Sequence, residues 1–315
     1  MDSARPDVTV IVTSYNIESY IGRAIESVLS QTGVSLEVIV VDDASSDGTW
    51  SVISSYDEPR LTKLRRERNG GPGASRNDAL AVAKGRWIAV LDGDDAFAPG
   101  RLAHCVVQGD AALADMVVDN ITVLREADGA RFPMFPPESF RQKQYLDLGG
   151  FIEGNLSFMG GYAYGYLKPL FSSAFLARHS LSYDPAIRIG EDYLLFAQCL
   201  ARGAVCRVDP MQGYIYTARA GSTSYRLRPR DIARISLRDK KFLRSHVIDA
   251  HAARAQGRRR ARIRDAFGFL LLVEAIKARK ISRAVRVALR APLSARHLWR
   301  PVWSRLSRIL PLKTA

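Results

Sequence analysis

Residues 87–102 read WIAVLDGDDAFAPGRL, an apolar run that stops on three carboxylates, Asp92, Asp94 and Asp95. Like charges this close push one another's pKa upward and cost stability unless something cancels them. A divalent cation does so: Mg2+ or Mn2+ takes hard oxygen ligands and is commonly held by one or two carboxylates while substrate phosphates supply the rest. The simpler alternative is a solvated turn, because Asp-Gly is a strong turn former. A second acidic pair, Glu191-Asp192, stands in IRIGEDYLLFAQCLARG, where a loop enters a helical pattern. There it either complements the positive helix end or acts as a general base toward a hydroxyl. Arg76 lies in GGPGASRN, a Gly-rich approach to a helix whose amides and positive end suit an anion, so it is expected to face a nucleotide or its diphosphate unless it is an ordinary surface Arg.

These residues need elements to hold them. Residues 8–13 (VTVIVT), 36–41 (LEVIVV), 61–65 (LTKLR) and 87–91 (WIAVL) read as strands, with helices over about 19–31, 47–56 and 72–84. Ile21, Ile25, Val28 and Leu29 fall on one face of the first helix. Val/Ile runs alternating with helices predict an α/β fold with a mostly parallel sheet covered on both faces. Ligands of such sheets bind beyond the carboxyl ends of the strands. Each strand here ends in polar residues at that edge: Thr13-Ser14-Tyr15-Asn16, Asp42-Asp43, Asn69-Gly70-Gly71 and Asp92-Gly93-Asp94-Asp95. Residues 101–218 are less regular, with a Gly/aromatic stretch at 158–171 and a strand expected at 170–176.

With TSYN, VVDDASSDGT, GGPGASRNDAL, VLDGDD and IGEDYLLFAQCLARG in this order, residues 7–218 resemble the family 2 glycosyltransferases of the GT-A fold, of the bacterial polysaccharide-biosynthesis type. Asp92-Gly93-Asp94 matches the family's D-x-D signature. The resemblance implies that Thr13 and Tyr15 line the nucleotide-base pocket, Tyr15 by stacking. It implies that Asp43 accepts an N–H of a pyrimidine, which favours a UDP-sugar donor, that Asp92 contacts the ribose, that Asp94 ligates a divalent cation, and that Asp95 supports the loop. Asp192 is then the base and Glu191 its acceptor-orienting neighbour, in an inverting transfer to a saccharide or lipid-linked saccharide acceptor. Bland readings stand beside these, Tyr15 as a packing residue and Asp43 as a turn carboxylate. Family members often carry a His after this helix; here the segment reads YTARAGSTSY, where Arg219 is a candidate to neutralise phosphate charge.

The net charge of +14 is unevenly spread. From Arg219 onward there are 26 Lys and Arg against 5 Asp and Glu, while the first 218 residues hold 20 against 27. The expected organisation is therefore a nucleotide-sugar-binding half over 1–100, an acceptor-binding half over 101–218, and a basic helical appendage over 219–315. Within the appendage, 254–264 (RAQGRRRARIR) reads as a basic hinge, followed by helical patterns at about 262–290 and 299–310. The second of these sets Trp299, Trp303 and Leu306 on one face with arginines elsewhere, the pattern of a helix lying in a membrane interface; packing on the catalytic domain is the alternative. An anionic membrane surface is the expected partner and nucleic acid is not, since no recognisable module is present. The longest clean apolar run, FGFLLLV, is far too short to span a bilayer, and no secretory signal precedes Val8. Cys105, Cys199 and Cys206 read as reduced, buried thiols. The expected location is cytoplasmic, peripheral on the inner face of the cell membrane. Rival readings are a sugar-nucleotide pyrophosphorylase, which should carry a Gly-rich basic loop where TSYNIESYI stands, and a non-catalytic membrane-binding module.

Overall fold

The structure is a computed structural model and describes residues 5–156, 162–219 and 227–290. The expected interfacial helix at 299–310 and part of the Gly/aromatic stretch, residues 158–161, lie outside the described residues.

The strands are Val8–Ser14 (β1), Leu36–Asp42 (β2), Leu61–Arg65 (β3), Trp87–Asp92 (β4), Ala96–Phe97 (β5), Met116–Arg125 (β6), Arg131–Pro133 (β7), Leu170–Ser172 (β8) and Cys206–Ala218 (β9). The helices are Glu18–Leu29 (α1), Thr49–Ser54 (α2), Pro72–Leu80 (α3), Arg101–Ala111 (α4), Pro137–Arg141 (α5), Leu148–Glu153 (α6), Ser173–Arg178 (α7), Glu191–Ala201 (α8), Pro229–Ser245 (α9), Ala250–Lys277 (α10) and Ile281–Arg290 (α11). One mixed sheet runs in the order β3-β2-β1-β4-β8-β6-β9-β5, with β7 paired to β6. The first four strands are mutually parallel, as their Val/Ile runs require, and β1 is buried along its whole length. Helix α1 buries Ile21, Ala24, Ile25 and Val28 beneath them, each large side chain contributing roughly 1.5–3 kcal/mol.

Register places the polar tips. Thr13 pairs with Asp92 and Ser14 with Asp42, so the crevice between β1 and β4 opens where the strand order reverses. Gly93 is required there, because a Cβ would stand 2.7 Å from the Thr13 carbonyl oxygen. In the second half, β6 and β9 run parallel, and the register jumps from Asp119↔Asp209 to Asn120↔Gln212. Pro210 lies in that bulge, where a missing N–H breaks no ladder bond. The bulge carries β9 across to deliver Thr217 and Arg219 beside the tip of β4.

Two expectations of local structure are corrected. The strand expected over 170–176 stops at Ser172, whose hydroxyl accepts the Phe175 N–H and starts α7. The basic hinge expected at 254–264 is helix interior: α10 runs unbroken from Ala250 to Lys277. Arg is a good helix former, and Arg259 is buried, donating to Asp239 at 2.9 Å with its guanidinium 3.6 Å from the centre of the Tyr193 ring. Helix α9, which carries Asp239, was missed altogether, though Pro229 at its first turn and the apolar spacing of Ile232, Ile235 and Phe242 announce it. The three cysteines are free and buried.

Candidate active site

Three other parts of the chain converge on the end of β4. Asp92 closes that strand, Arg76 points from α3, Lys168 precedes β8, and Glu191-Asp192 open α8. Gly190, at φ +89°, makes the turn into α8 that a side chain would strain. The side chains form a closed ring of ion pairs. Arg76 Nη2 lies 2.7 Å from Asp92 Oδ1 and Nη1 lies 2.7 Å from Asp192 Oδ1; Lys168 Nζ lies 2.9 Å from Asp92 Oδ2 and 2.5 Å from Asp192 Oδ2. Glu191 Oε1 also accepts from Arg76 Nη1, at 2.9 Å. Residues 76, 92, 168 and 192, scattered along the chain, thus share one cleft.

Exposure divides their roles. Asp92 keeps 31% of its side chain open to solvent and Asp192 17%, whereas Arg76 keeps 2% and Glu191 9%. Two carboxylates therefore face the cleft with two cations and a third carboxylate behind. Burial opposes the charge of Arg76, but Asp192, Asp92 and Glu191 outweigh it and hold the guanidinium well above its ordinary range. Lys168 is likewise held up by Asp192 and Asp92 against its burial. Asp92 is held far below the usual carboxylate range, since Lys168 and Arg76 overcome its desolvation. Glu191 behaves oppositely: burial, then the neighbouring Asp192 charge, pushes it up to about 7.

The other two acidic residues of the tip point elsewhere. Asp94 Oδ2 accepts from Arg219 Nε at 2.9 Å and sits 2.8 Å from Nη2, and that guanidinium lies 4.9 Å from the centre of the Tyr20 ring. Asp95 is buried; it accepts the Tyr214 hydroxyl at 2.7 Å and the Thr217 N–H at 2.7 Å. Tyr214 accepts the Asp92 N–H in turn at 3.2 Å, lashing the tip of β4 to β9. Burial, with Asp94 and Asp92 nearby, raises Asp95 well above the ordinary range.

At the β1–β2 end, Tyr15 is 49% exposed and Thr13 is buried. The Asp43 carboxylate accepts the N–H groups of Gly70 at 2.9 Å and Gly71 at 2.7 Å and pairs with Arg66 at 2.9 Å. Three of about four acceptor sites are so used, leaving one. This corrects the expectation for Arg76: the anion received by the Gly-rich start of α3 is Asp43, and Arg76 turns inward to carboxylates instead of outward to a phosphate. Arg219 likewise meets Asp94 before any phosphate.

Lys168, Tyr214 and Arg66 were missed from the sequence. Lys168 offered the one usable signal, a lone cation in the apolar stretch YLKPLF. Among the described residues no three His, Cys, Asp or Glu side chains gather as a ready metal site. Asp94 nevertheless fits a hard cation, because Oδ1 is not engaged by Arg219 and one carboxylate suffices where a nucleotide diphosphate completes the shell.

The family model described as "Glycosyl transferase family 2" matches residues 9–171. The chain is 43% identical to the succinoglycan biosynthesis protein ExoO of Rhizobium meliloti, over 96% of this chain and 87% of that protein. It is 37% identical to the Escherichia coli UDP-Glc:alpha-D-GlcNAc-diphosphoundecaprenol beta-1,3-glucosyltransferase WfaP, over 69% of this chain and 79% of that one. Among solved structures, Staphylococcus aureus TarS 1-349 in complex with UDP-GlcNAc superposes with a TM-score of 0.64 at 20% identity, covering 90% of this chain and 91% of that chain. That likeness extends the fold match to a GT-A glycosyltransferase architecture with a helical C-terminal region.

Proposed function

The chain belongs to glycosyltransferase family 2 as a glycosyltransferase of bacterial polysaccharide biosynthesis, and on that premise we propose that it moves a sugar from a UDP-sugar to a hydroxyl of a lipid-linked saccharide, with inversion. The observation that carries the reading is the ring joining Asp92 to Asp192 through Arg76 and Lys168, which brings the proposed base, a carboxylate that reaches solvent, next to the proposed ribose contact. Names of relatives support the donor and acceptor classes: a UDP-GlcNAc complex for TarS, UDP-Glc and a diphosphoundecaprenol-linked sugar for WfaP.

In this mechanism the exposed ring of Tyr15 stacks on uracil, Thr13 gives a polar contact, and the remaining acceptor site of Asp43 takes a ring N–H. Asp92 holds the ribose while Asp95, through Tyr214 and Thr217, keeps the loop in place. The acceptor hydroxyl attacks the anomeric carbon as its proton passes to Asp192; the bond to the diphosphate breaks on the opposite face, so one displacement inverts the centre. Asp94 would hold a divalent cation, Mn2+ or Mg2+, and that cation supplies electrostatic stabilisation of the departing diphosphate. Arg219 stands beside Asp94 as a further counter-charge.

The basic C-terminal part supports attachment to an anionic membrane surface on the cytoplasmic side. No described helix is long and apolar enough to cross a membrane. On α11, Ile281, Val285 and Leu289 form an exposed stripe, 77%, 52% and 77% open, and residues 275–315 hold eleven Lys and Arg with no Asp or Glu. Each such cation near an anionic leaflet contributes about 1 kcal/mol. For the catalytic reading the deciding experiment is Asp192→Asn: transfer from UDP-sugars falls by about 10²–10⁴-fold while UDP still raises the melting temperature. Full transfer by that variant would contradict the assignment.

A further inference from the structure

Helices α9 and α10 leave a groove of about 680 Å³ between them, within the size range of small-molecule sites. Its walls are apolar: Ile232 and Leu237 from α9 face Ile263 and Phe267 from α10, and Leu237 is 63% exposed. Its rim is cationic, with Lys240, Arg260 and Arg264, all exposed. None of these three has an ion-pair partner among the described residues, whereas the one acid of the lining, Asp239, is buried and paired to Arg259. The uncompensated charge of the groove is therefore positive.

The groove also adjoins the active site. Ile232 lines it on one side and on the other joins a buried cluster with Ile235. Ile235 Cδ1 lies 3.7 Å from where a Cβ on Gly190 would stand, and Gly190 is the residue before Glu191-Asp192. One layer of side chains thus separates the groove from the start of α8. Arg259, next to Arg260, rests on Tyr193 of the same helix.

We propose that this groove is the binding site for the apolar chain of the acceptor, a polyisoprenyl diphosphate, with Lys240, Arg260 and Arg264 receiving the diphosphate. An apolar trough with a wall exposed to water is costly unless a chain covers it, and three unpaired cations at its lip complement a diphosphate, which neither a neutral lipid tail nor a free saccharide would use. The inference rests on the lipid-linked acceptor proposed above and gives that acceptor a place in the molecule.

The test uses the full chain and farnesyl diphosphate as probe. Gly257 lines the groove from α10, and a Cβ there meets nothing within 4 Å, so Gly257→Trp fills the trough without disturbing the helix. We expect it to weaken farnesyl diphosphate binding at least about tenfold and to raise KM for a lipid-linked acceptor, with UDP-sugar hydrolysis unchanged. The double variant R260E/R264E, at two exposed positions, is expected to weaken the probe comparably with its unfolding transition retained. Unchanged probe affinity in both variants overturns the proposal. So does displacement of the probe by phosphatidylglycerol vesicles with equal loss of vesicle binding in Gly257→Trp, since the groove would then be a general membrane anchor. If the wild-type chain hydrolyses no UDP-sugar, the functional reading fails instead, and the probe titration still decides the groove.

Discussion

The Lys168 ammonium lies 2.5 Å from Asp192 Oδ2 and closes the ring that Arg76 opens on the other oxygen. Asp192 is thereby gripped on both oxygens, so its orientation toward the cleft depends on a residue that belongs to neither β4 nor α8. Because Asp92 stays held by Arg76 at 2.7 Å, Lys168→Met should leave UDP affinity within about twofold and lower kcat by roughly 10- to 100-fold, the range expected when a carboxylate keeps its chemistry but loses its aim. Lys168→Arg should recover part of that loss. A variant in which UDP affinity falls and kcat does not would assign Lys168 to donor binding.

Arg76 predicts a different phenotype. It is a buried cation facing three carboxylates, and removing one partner from such a cluster leaves uncompensated charge in a poorly hydrated site. Arg76→Met should cost about 3–5 kcal/mol in urea unfolding. A loss below about 1 kcal/mol would mean that water reaches Glu191 more freely than its 7% exposure indicates.

The sequence made the parallel half of the sheet legible because its strands are short apolar runs punctuated by polar tips, a purely local signal. The positions of Asp92, Asp43 and Asp192 at strand and helix ends were legible for the same reason. What was not legible lies in pairings over long separations. Arg76 meets Asp192 across 116 positions, and nothing around GGPGASRN tells whether its Arg turns outward or inward. Residues 254–264 looked like a hinge because an Arg run reads as solvated; only the buried Asp239 and Tyr193 against Arg259 show why it is helix.

Glu191 gives a pH signature in stability. Its carboxyl is raised from 4.5 to about 7, chiefly by burial. An acid raised in the native state contributes stability that is full below about 4.5, where both states are protonated, and is lost as pH rises to about 7, because the unfolded chain releases its proton first. At roughly 1.4 kcal/mol per pH unit, this window costs the native state on the order of 3 kcal/mol. Glu191→Gln should flatten the decline in unfolding free energy between pH 4.5 and 7 relative to wild type. Parallel curves for the two proteins would place the titration elsewhere.

Tyr214 tests whether the tip of β4 is held from β9. Its hydroxyl is buried between the Asp92 N–H and the Asp95 carboxylate, so Tyr214→Phe leaves both without that partner. The expected loss is about 1–3 kcal/mol on chemical denaturation. A neutral substitution would mean that Thr217 alone secures Asp95.

Arg219 and a divalent cation would compete for the Asp94 carboxylate, and this fixes how such a cation should reveal itself. Without a nucleotide, Asp94 is already neutralised by Arg219, so Mn2+ alone should raise the melting temperature little. With UDP present the diphosphate offers Arg219 an alternative anion and the cation further oxygens, so Mn2+ and UDP together should stabilise more than the sum of their separate effects. Asp94→Asn should abolish the synergy while keeping the shift given by UDP alone, and chelation should reduce transfer by the wild type. If the synergy survives in Asp94→Asn, the cation is held by another group and Asp94 serves only to anchor Arg219.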